Sequence, residues 1–169
     1  MTNIGEMQLL FLYLCSNIQA MKRIVVLLLF VAVAFSCEKE YYTTIPNYPA
    51  NLKLNMEDMD VLNASLAYKT FTTPRLATDR LGFGGILVIN GMGTNVVNLY
   101  AYDLACPVEA QRTVRVVPDK STAFTTATCP KCGAVFNIAT GTGAPQSGTK
   151  YYLKSYSVYW DGMQYVVVN

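Results

Sequence analysis

Apolar and polar residues alternate with a period of two along several short segments of this chain. The alternation includes Leu52, Leu54 and Met56, and it returns in residues 66–71. Such a period is typical of β-strands that bury one face, because successive side chains of a strand point to opposite sides. Residues 57–63 lie between these segments without that period, and we expect a short helical turn or a loop there.

A continuous apolar run at residues 86–89 predicts a buried strand. Three glycines in residues 82–85 precede this run, and Asn90-Gly91, a strong signal for a tight turn, follows it. Residues 96–102 are again apolar at alternate positions and fit the returning strand. Residues 85–102 are therefore predicted to form a β-hairpin.

Further strand-like segments follow and are separated by turn residues; they cover 113–117, 124–128, 134–138, 151–160 and 164–168. Many short strands joined by Gly and Pro turns are typical of antiparallel sandwiches and barrels. No long amphipathic helical period is visible. The pattern predicts one all-β domain.

The composition narrows the classes of function. Of the 169 residues, 52% are hydrophobic and 14% are charged, and the net charge is +2. A basic surface of the kind that binds nucleic acid is therefore not expected. The chain contains no histidine, which excludes a Ser-His-Asp triad, and no Gly-rich phosphate loop opens a helix. We expect a noncatalytic protein or, if it is redox active, an electron carrier rather than a hydrolase or transferase.

The N-terminal part of the chain predicts export. Lys22-Arg23 precedes the apolar run 24–35, and this arrangement is typical of a secretory signal. The run is shorter than the ~20 apolar residues of a transmembrane helix. Met21 by itself begins a complete signal, so we interpret residues 1–20 as a non-native upstream extension and 21–36 as the signal peptide.

Residues 33–37, Val-Ala-Phe-Ser-Cys, resemble the lipobox of bacterial lipoproteins, in particular those of Bacteroidota. This resemblance implies that Cys37 is lipidated; the alternative is an ordinary secretory signal with an incidental cysteine. We expect residues 37–51 to be a flexible tether and 52–169 to be the folded domain. The expected location is the cell envelope, periplasmic or surface-facing, on the outer or inner membrane. The lipid anchor then supplies the membrane partner, and other envelope proteins are further candidate partners.

Three of the cysteines, Cys106, Cys129 and Cys132, belong to the predicted domain. An odd number of cysteines in an exported domain indicates one disulfide with a spare thiol, or a shared ligand role. The Cys-x-x-Cys at 129–132 looks like one knuckle of a zinc ribbon, but a second such pair is missing. A thioredoxin-type motif would need a helix after the first cysteine, whereas the following residues are strand-like.

The order of these motifs resembles the Rieske iron–sulfur family. That family has a Cys-x-His loop and a Cys-x-x-His-Gly loop that together hold a 2Fe–2S cluster. Here the loops read Cys-Pro-Val at 106–108 and Cys-Pro-Lys-Cys-Gly at 129–133, so Val108 and Cys132 stand at the two histidine positions. The resemblance covers about residues 80–169. It implies a Rieske-like sandwich or barrel with a small cluster-binding-type subdomain, in which the two loops face each other.

The ligand set is incomplete for this cluster, which normally takes four Cys or His ligands. Three thiols are present, Val108 cannot bind iron, and Asp103 or Glu109 would have to reach the site. We therefore expect no cofactor, a disulfide between Cys106 and either Cys129 or Cys132, and a role as a binding or assembly module. The alternative is a 2Fe–2S electron-transfer protein with a non-standard, cysteine-rich site.

Overall fold

The computed structural model describes residues 41–93 and 97–169. The predicted upstream extension, signal peptide and lipidation site, Cys37, lie outside the described residues, and so does the first part of the tether. The described elements are the helix α1 (Met56–Leu62) and the strands β1 (Ala50–Lys53), β2 (Tyr68–Phe71), β3 (Arg80–Leu81), β4 (Ile86–Asn90), β5 (Leu99–Asp103), β6 (Val117–Pro118), β7 (Thr126–Thr128), β8 (Val135–Asn137), β9 (Pro145–Ser147), β10 (Ser155–Trp160) and β11 (Tyr165–Val168).

The larger layer is a seven-stranded sheet with the strand order β2-β4-β5-β10-β11-β1-β3. All of its neighbouring strands are antiparallel. Strands β4 and β5 pair from Ile86 opposite Asp103 to Asn90 opposite Leu99, which confirms the predicted hairpin. The last pair of the hairpin is Asn90 opposite Leu99, so the connection between the strands is longer than Asn90-Gly91 alone. Beside this pair, the side-chain oxygen of Asn90 accepts the N–H of Asn98 at 3.0 Å.

Strand β4 is buried on both faces, which explains its continuous apolar sequence. Leu87 and Ile89 point into a core between the two sheets. Ile86 and Val88 point the other way, into a second core that also contains Leu62 of α1. The helix begins with a capping box in which Asn55 and Asp58 bond each other's backbone N–H groups, so the segment 57–63 is mostly helical.

A four-stranded antiparallel sheet, β6-β7-β8-β9, is inserted between β5 and β10. Tyr102 and Phe136, both with no exposed surface, lie in the core between the sheets together with Cys106 and Cys129. Cys106 follows β5 of the larger sheet, and the second cysteine loop joins β7 to β8 of the smaller one. The predicted all-β architecture, with a small subdomain that carries a cysteine loop, is therefore confirmed.

The predicted flexible tether, 37–51, is wrong for its described part. Ala50 already belongs to β1, and Ile45 is 5% exposed. The backbone N–H of Tyr152 donates to the carbonyl of Tyr42 at 2.9 Å. Individual side chains and backbone groups, rather than one face of a strand or helix, pack this segment against the domain. Its apolar residues therefore follow no regular period.

The same segment reaches the first cysteine loop. The hydroxyl of Thr44 donates to the carbonyl oxygen of Pro107. The ring of Tyr48 lies 5.4 Å from that of Phe83, and the guanidinium of Arg112 covers both rings, 4.3 and 5.0 Å from their centroids. Residues 44–48 therefore support the loop that contains Cys106.

Within residues 41–93 and 97–169, no helix has the length and apolar character needed to cross a bilayer.

Candidate functional site

The three cysteines of the domain lie close together. Their Sγ atoms all lie within 4.8 Å of one another. Cys106 and Cys129 are buried, whereas Cys132 is exposed. The Sγ atoms of Cys106 and Cys132 are 3.6 Å apart. The two loops that the sequence motifs indicated therefore converge, and all three predicted site cysteines belong to one cluster, called here the thiol tip.

The two cysteine loops have the same backbone design. Each begins Cys-Pro, and the N–H of its fifth residue donates to the carbonyl of its cysteine: Ala110 to Cys106 and Gly133 to Cys129, both at 2.9 Å. The fifth residue has a positive φ in each loop, 49° at Ala110 and 73° at Gly133. A positive φ lets the chain turn sharply after the hydrogen-bonded loop. The cysteines are thus held by two equivalent turns.

Backbone N–H groups of each loop lie near its first sulfur. Burial raises the pKa of Cys129, but the N–H groups of Cys132 and Lys131 and the neighbouring thiols outweigh that effect, so its pKa is lowered. Burial dominates at Cys106 and raises its pKa to about 12, although the N–H groups of Glu109 and Val108 oppose the shift. Cys129 is therefore the buried thiol that ionises more readily.

An ion pair connects the two loops across the thiol tip. The ammonium of Lys131, in the second loop, contacts the carboxylate of Glu109, in the first. Glu109 raises the pKa of Lys131, and the nearby sulfurs of Cys129 and Cys132 act in the same direction. The carboxylate of Glu109 is therefore engaged with an ammonium of the opposite loop.

Asp103 is also committed to other partners. Its Oδ1 accepts the N–H groups of Gly84 and Ala105 at 2.9 and 2.8 Å. Its Oδ2 accepts the N–H of Phe83 at 2.7 Å and the hydroxyl of Tyr156 at 2.6 Å. Asp103 has no exposed surface. This carboxylate therefore fixes the backbone around β5 and is not available as a metal ligand.

The residues of the thiol tip do not fit a standard Rieske cluster. Val108 is 39% exposed and offers no donor atom, and Asp103 and Glu109 are held by the partners described above. Among the described residues, the tip supplies three thiols as metal ligands. A 2Fe–2S cluster at this tip would lack a fourth side chain of the usual kind.

The sequence prediction did not identify two of these relationships. The sequence indicates Asp103 only as a distant candidate ligand, and it does not by itself predict the pairing of Glu109 with Lys131. A signal for this ion pair is present, because Glu109 lies three positions after Cys106 and Lys131 lies two positions after Cys129. These opposite charges therefore belong to two loops that are expected to face each other. The partners of Asp103 are mostly backbone N–H groups, which carry no mark in the sequence.

No protein-family model matches the chain, and no curated protein matches it either. Solved structures do show similarity. The chain is 19% identical to the ferredoxin of carbazole 1,9a-dioxygenase from Nocardioides aromaticivorans, with a TM-score of 0.43 over 70% of this chain and 96% of that one. It is also 19% identical to the plasma membrane Rieske protein of the cyanobacterium Synechocystis, with a TM-score of 0.45 over 70% and 98% of the two chains. A ferredoxin of Sphingomonas yanoikuyae is 17% identical, with a TM-score of 0.39 over 63% and 88%.

Proposed function

We propose that the protein is a noncatalytic lipoprotein of the bacterial cell envelope that acts as a binding or assembly module. In its oxidised state, a disulfide between Cys106 and Cys132 joins the two loops of the thiol tip. The observation that carries this proposal is the 3.6 Å separation of those two Sγ atoms.

A disulfide needs an S–S distance of about 2.05 Å, so the two sulfurs have to approach by about 1.5 Å. Cys132 is exposed and lies in a turn, so its side chain is free to rotate towards the buried Cys106. The bond would close a loop with a sequence separation of 26, and a constraint of this size contributes about 3 kcal/mol to the free energy of unfolding. Cys129 would remain as the single thiol.

The oxidation is a two-electron step. Each of the two thiols loses one proton and one electron, and the new S–S bond takes the place of two S–H bonds. The oxidant is a disulfide-carrying protein of the envelope, which is reduced to its dithiol by exchange. Oxidants of this class belong to the compartment that the signal peptide and lipobox predict.

Thiol counting tests the pairing. We expect one reactive thiol per denatured chain when it is expressed from Met21 and isolated without reductant, and three after reduction. Cys129→Ser should leave none before reduction, whereas Cys132→Ser should leave two. Three thiols without reductant, or a disulfide-linked peptide that contains Cys129, would overturn the proposed pairing.

The anchor has a separate test. Expression from Met21 in a bacterial host should place the wild-type protein in the membrane fraction and incorporate labelled fatty acid. The variant Cys37→Ala should lose the label and appear in the soluble envelope fraction. An unlabelled wild-type chain would remove the lipoprotein part of the proposal and leave the thiol tip unaffected.

The second candidate function is electron transfer by a 2Fe–2S cluster with non-standard ligands. The observation in its favour is that all three Sγ atoms lie within 4.8 Å of one another without a bond between them. Anaerobic purification distinguishes the two functions. A coloured protein with about two irons and two acid-labile sulfides per chain would support the cluster and overturn the first proposal, and a colourless, iron-free protein would do the opposite.

A further inference from the structure

We propose that the reduced thiol tip binds a single divalent, thiophilic metal ion, of which Zn²⁺ is the example, through Cys106, Cys129 and Cys132. This inference deepens the proposed function by naming a ligand class for the reduced tip. It rests on the proposed function in one respect only, which is that the tip holds no 2Fe–2S cluster. Three separate observations carry it.

The spacing of the sulfurs fits one metal ion. A tetrahedral zinc site has Zn–S distances of about 2.3 Å, which place its sulfur atoms about 3.8 Å apart. Cys106 and Cys132 are 3.6 Å apart, and the third sulfur lies within 4.8 Å of both. Shifts of less than about 1 Å would bring all three sulfurs to one ion.

The backbone supplies hydrogen-bond donors beside two of the sulfurs. The N–H groups of Val108 and Glu109 lie near the sulfur of Cys106, and those of Lys131 and Cys132 lie near that of Cys129. The α-turns that end at Ala110 and Gly133 hold these groups in place. N–H donors around thiolate ligands stabilise their negative charge and fix their direction, as the outer shell of a metal site does.

The exposure and charge of the tip fit a site with one open position. Cys132 faces solvent, so a water molecule or an external ligand can occupy the fourth position, as in zinc sites with three protein ligands. Three thiolates exceed the charge of a divalent ion by one negative charge. The ammonium of Lys131 lies in the same turn, but it is shared with the carboxylate of Glu109, so an external cationic or neutral ligand at the open position suits the remaining charge.

The metal and the disulfide exclude each other, because both need the sulfurs of Cys106 and Cys132. Binding releases the protons of the three thiols, and the ion takes their place. Reduction of the disulfide by a dithiol therefore creates the site, and oxidation removes it. The metal-bound state is the reduced state of the same tip.

Cobalt titration tests the site, since Co²⁺ takes the same ligands as Zn²⁺ and thiolate ligation gives it intense near-ultraviolet charge-transfer absorption. The protein expressed from Met21 is reduced with a phosphine, kept anaerobic and titrated with CoCl₂. We expect these bands to saturate at one Co²⁺ per chain and to disappear on addition of ZnCl₂. The oxidised chain should give no such bands.

Single variants test the ligand set. Cys132→Ser changes an exposed side chain and should weaken the affinity for Co²⁺ by about 100-fold or more. Cys129→Ser should do the same, and its far-ultraviolet circular dichroism checks that the buried change has not unfolded the domain. Cys37→Ala is the matched control, because it removes a cysteine outside the tip and should leave the titration unchanged.

The outcomes separate this inference from the proposed function. Reduced protein with three titratable thiols and no charge-transfer bands would overturn the metal site and leave the disulfide intact. Unchanged affinity in Cys132→Ser would overturn the three-ligand assignment. Iron and acid-labile sulfide in the purified protein would overturn the proposed function itself.

Discussion

The hydroxyl of Tyr156 donates a 2.6 Å hydrogen bond to Oδ2 of Asp103, although the two residues are 53 positions apart in the chain. The bond joins β10 to Asp103, the last residue of β5. Cys106, which begins the first cysteine loop, follows three positions later. Burial and the adjacent carboxylate raise the pKa of Tyr156 above its ordinary range, so the hydroxyl keeps its proton at neutral pH and remains a donor. Asp103 and Tyr156 thus anchor the backbone from which the thiol tip extends.

Removing this hydroxyl should destabilise the domain. We expect Tyr156→Phe to lower the free energy of unfolding by about 1–3 kcal/mol, because a buried carboxylate loses one of its donors. Urea denaturation followed by circular dichroism measures the change. Tyr159→Phe is the matched control, since Tyr159 is 48% exposed, and its effect should stay within about 0.5 kcal/mol. Equal effects of the two variants would contradict the anchoring role.

Gly84 should not tolerate a side chain. A Cβ atom at this position would lie 2.7 Å from both Cβ and N of Ala105 and 2.9 Å from Oδ1 of Asp103. We expect Gly84→Ala to cost about 1–3 kcal/mol, because the loop has to move away from Asp103. Gly93→Ala is the control, because no atom lies within 4 Å of the Cβ it would add. Thermal unfolding of both variants gives the comparison, and a Tm of Gly84→Ala equal to that of the control would refute the steric argument.

Asp58 should make the stability of the domain depend on pH. Burial raises its pKa, but Lys69, the N–H of Asn55 and Arg75 together lower it below the ordinary value. Lys69 and Arg75 lie 2.9 and 2.7 Å from its two oxygens. Because the pKa is lower in the folded state, the stabilisation is present above the unfolded value of about 3.9 and is lost as the pH falls through the folded value.

The corresponding variant is Asp58→Asn. It should be less stable than the wild type at neutral pH, and the difference should shrink as the pH falls below about 4. Urea midpoints measured at several pH values test this, with Asp60→Asn, at an exposed position, as the control. If the difference in urea midpoint between the wild type and Asp58→Asn stays constant down to pH 3, the charge of Asp58 does not contribute to stability.

The ion pair of Glu109 and Lys131 should contribute a salt-dependent link between the loops. Lys131 is 53% exposed, so the coupling between Glu109→Gln and Lys131→Gln in a double-mutant cycle should be smaller than the effect of Tyr156→Phe. It should also become weaker in 1 M salt, because the ammonium is exposed to solvent and the Debye length falls to about 3 Å. A coupling that does not change with salt would indicate a packing contact instead.

The sequence predicted the hairpin and the meeting of the cysteine loops for clear reasons. Strand β4 carries an apolar residue on both faces, and the Asn90-Gly91 signal follows it, so its role was visible from pattern alone. The meeting of the two cysteine loops was an expectation from their resemblance to the loops of the Rieske family. Asp103 could not be assigned its role, because three of its partners are backbone N–H groups that any residue would supply.

The strand limits were less predictable where the chain crosses between sheets. The sequence predicts a strand at residues 113–117, but regular strand pairing starts only at Val117. The side chain of Arg115 instead donates to the carbonyl of Gly84. The side chain of Val116 packs into the core between the sheets. The docking of residues 41–49 was also hidden, because Ile45 is buried singly and the neighbouring tyrosines make ring contacts while they remain exposed, so that the contacts follow no period. Both cases depend on contacts between distant segments, which local pattern does not record.

The matching turns of the two cysteine loops have a consequence for how such a protein can change over evolutionary time. Each turn is closed by main-chain atoms and by a positive φ at its fifth residue, and neither depends on the side chain at the third or fourth position. Val108 and Cys132 occupy such positions, so an exchange of donor side chains there leaves the bend intact. Substitutions at these two positions can therefore change which donor atoms the tip offers while the backbone hydrogen bonds of both turns are kept.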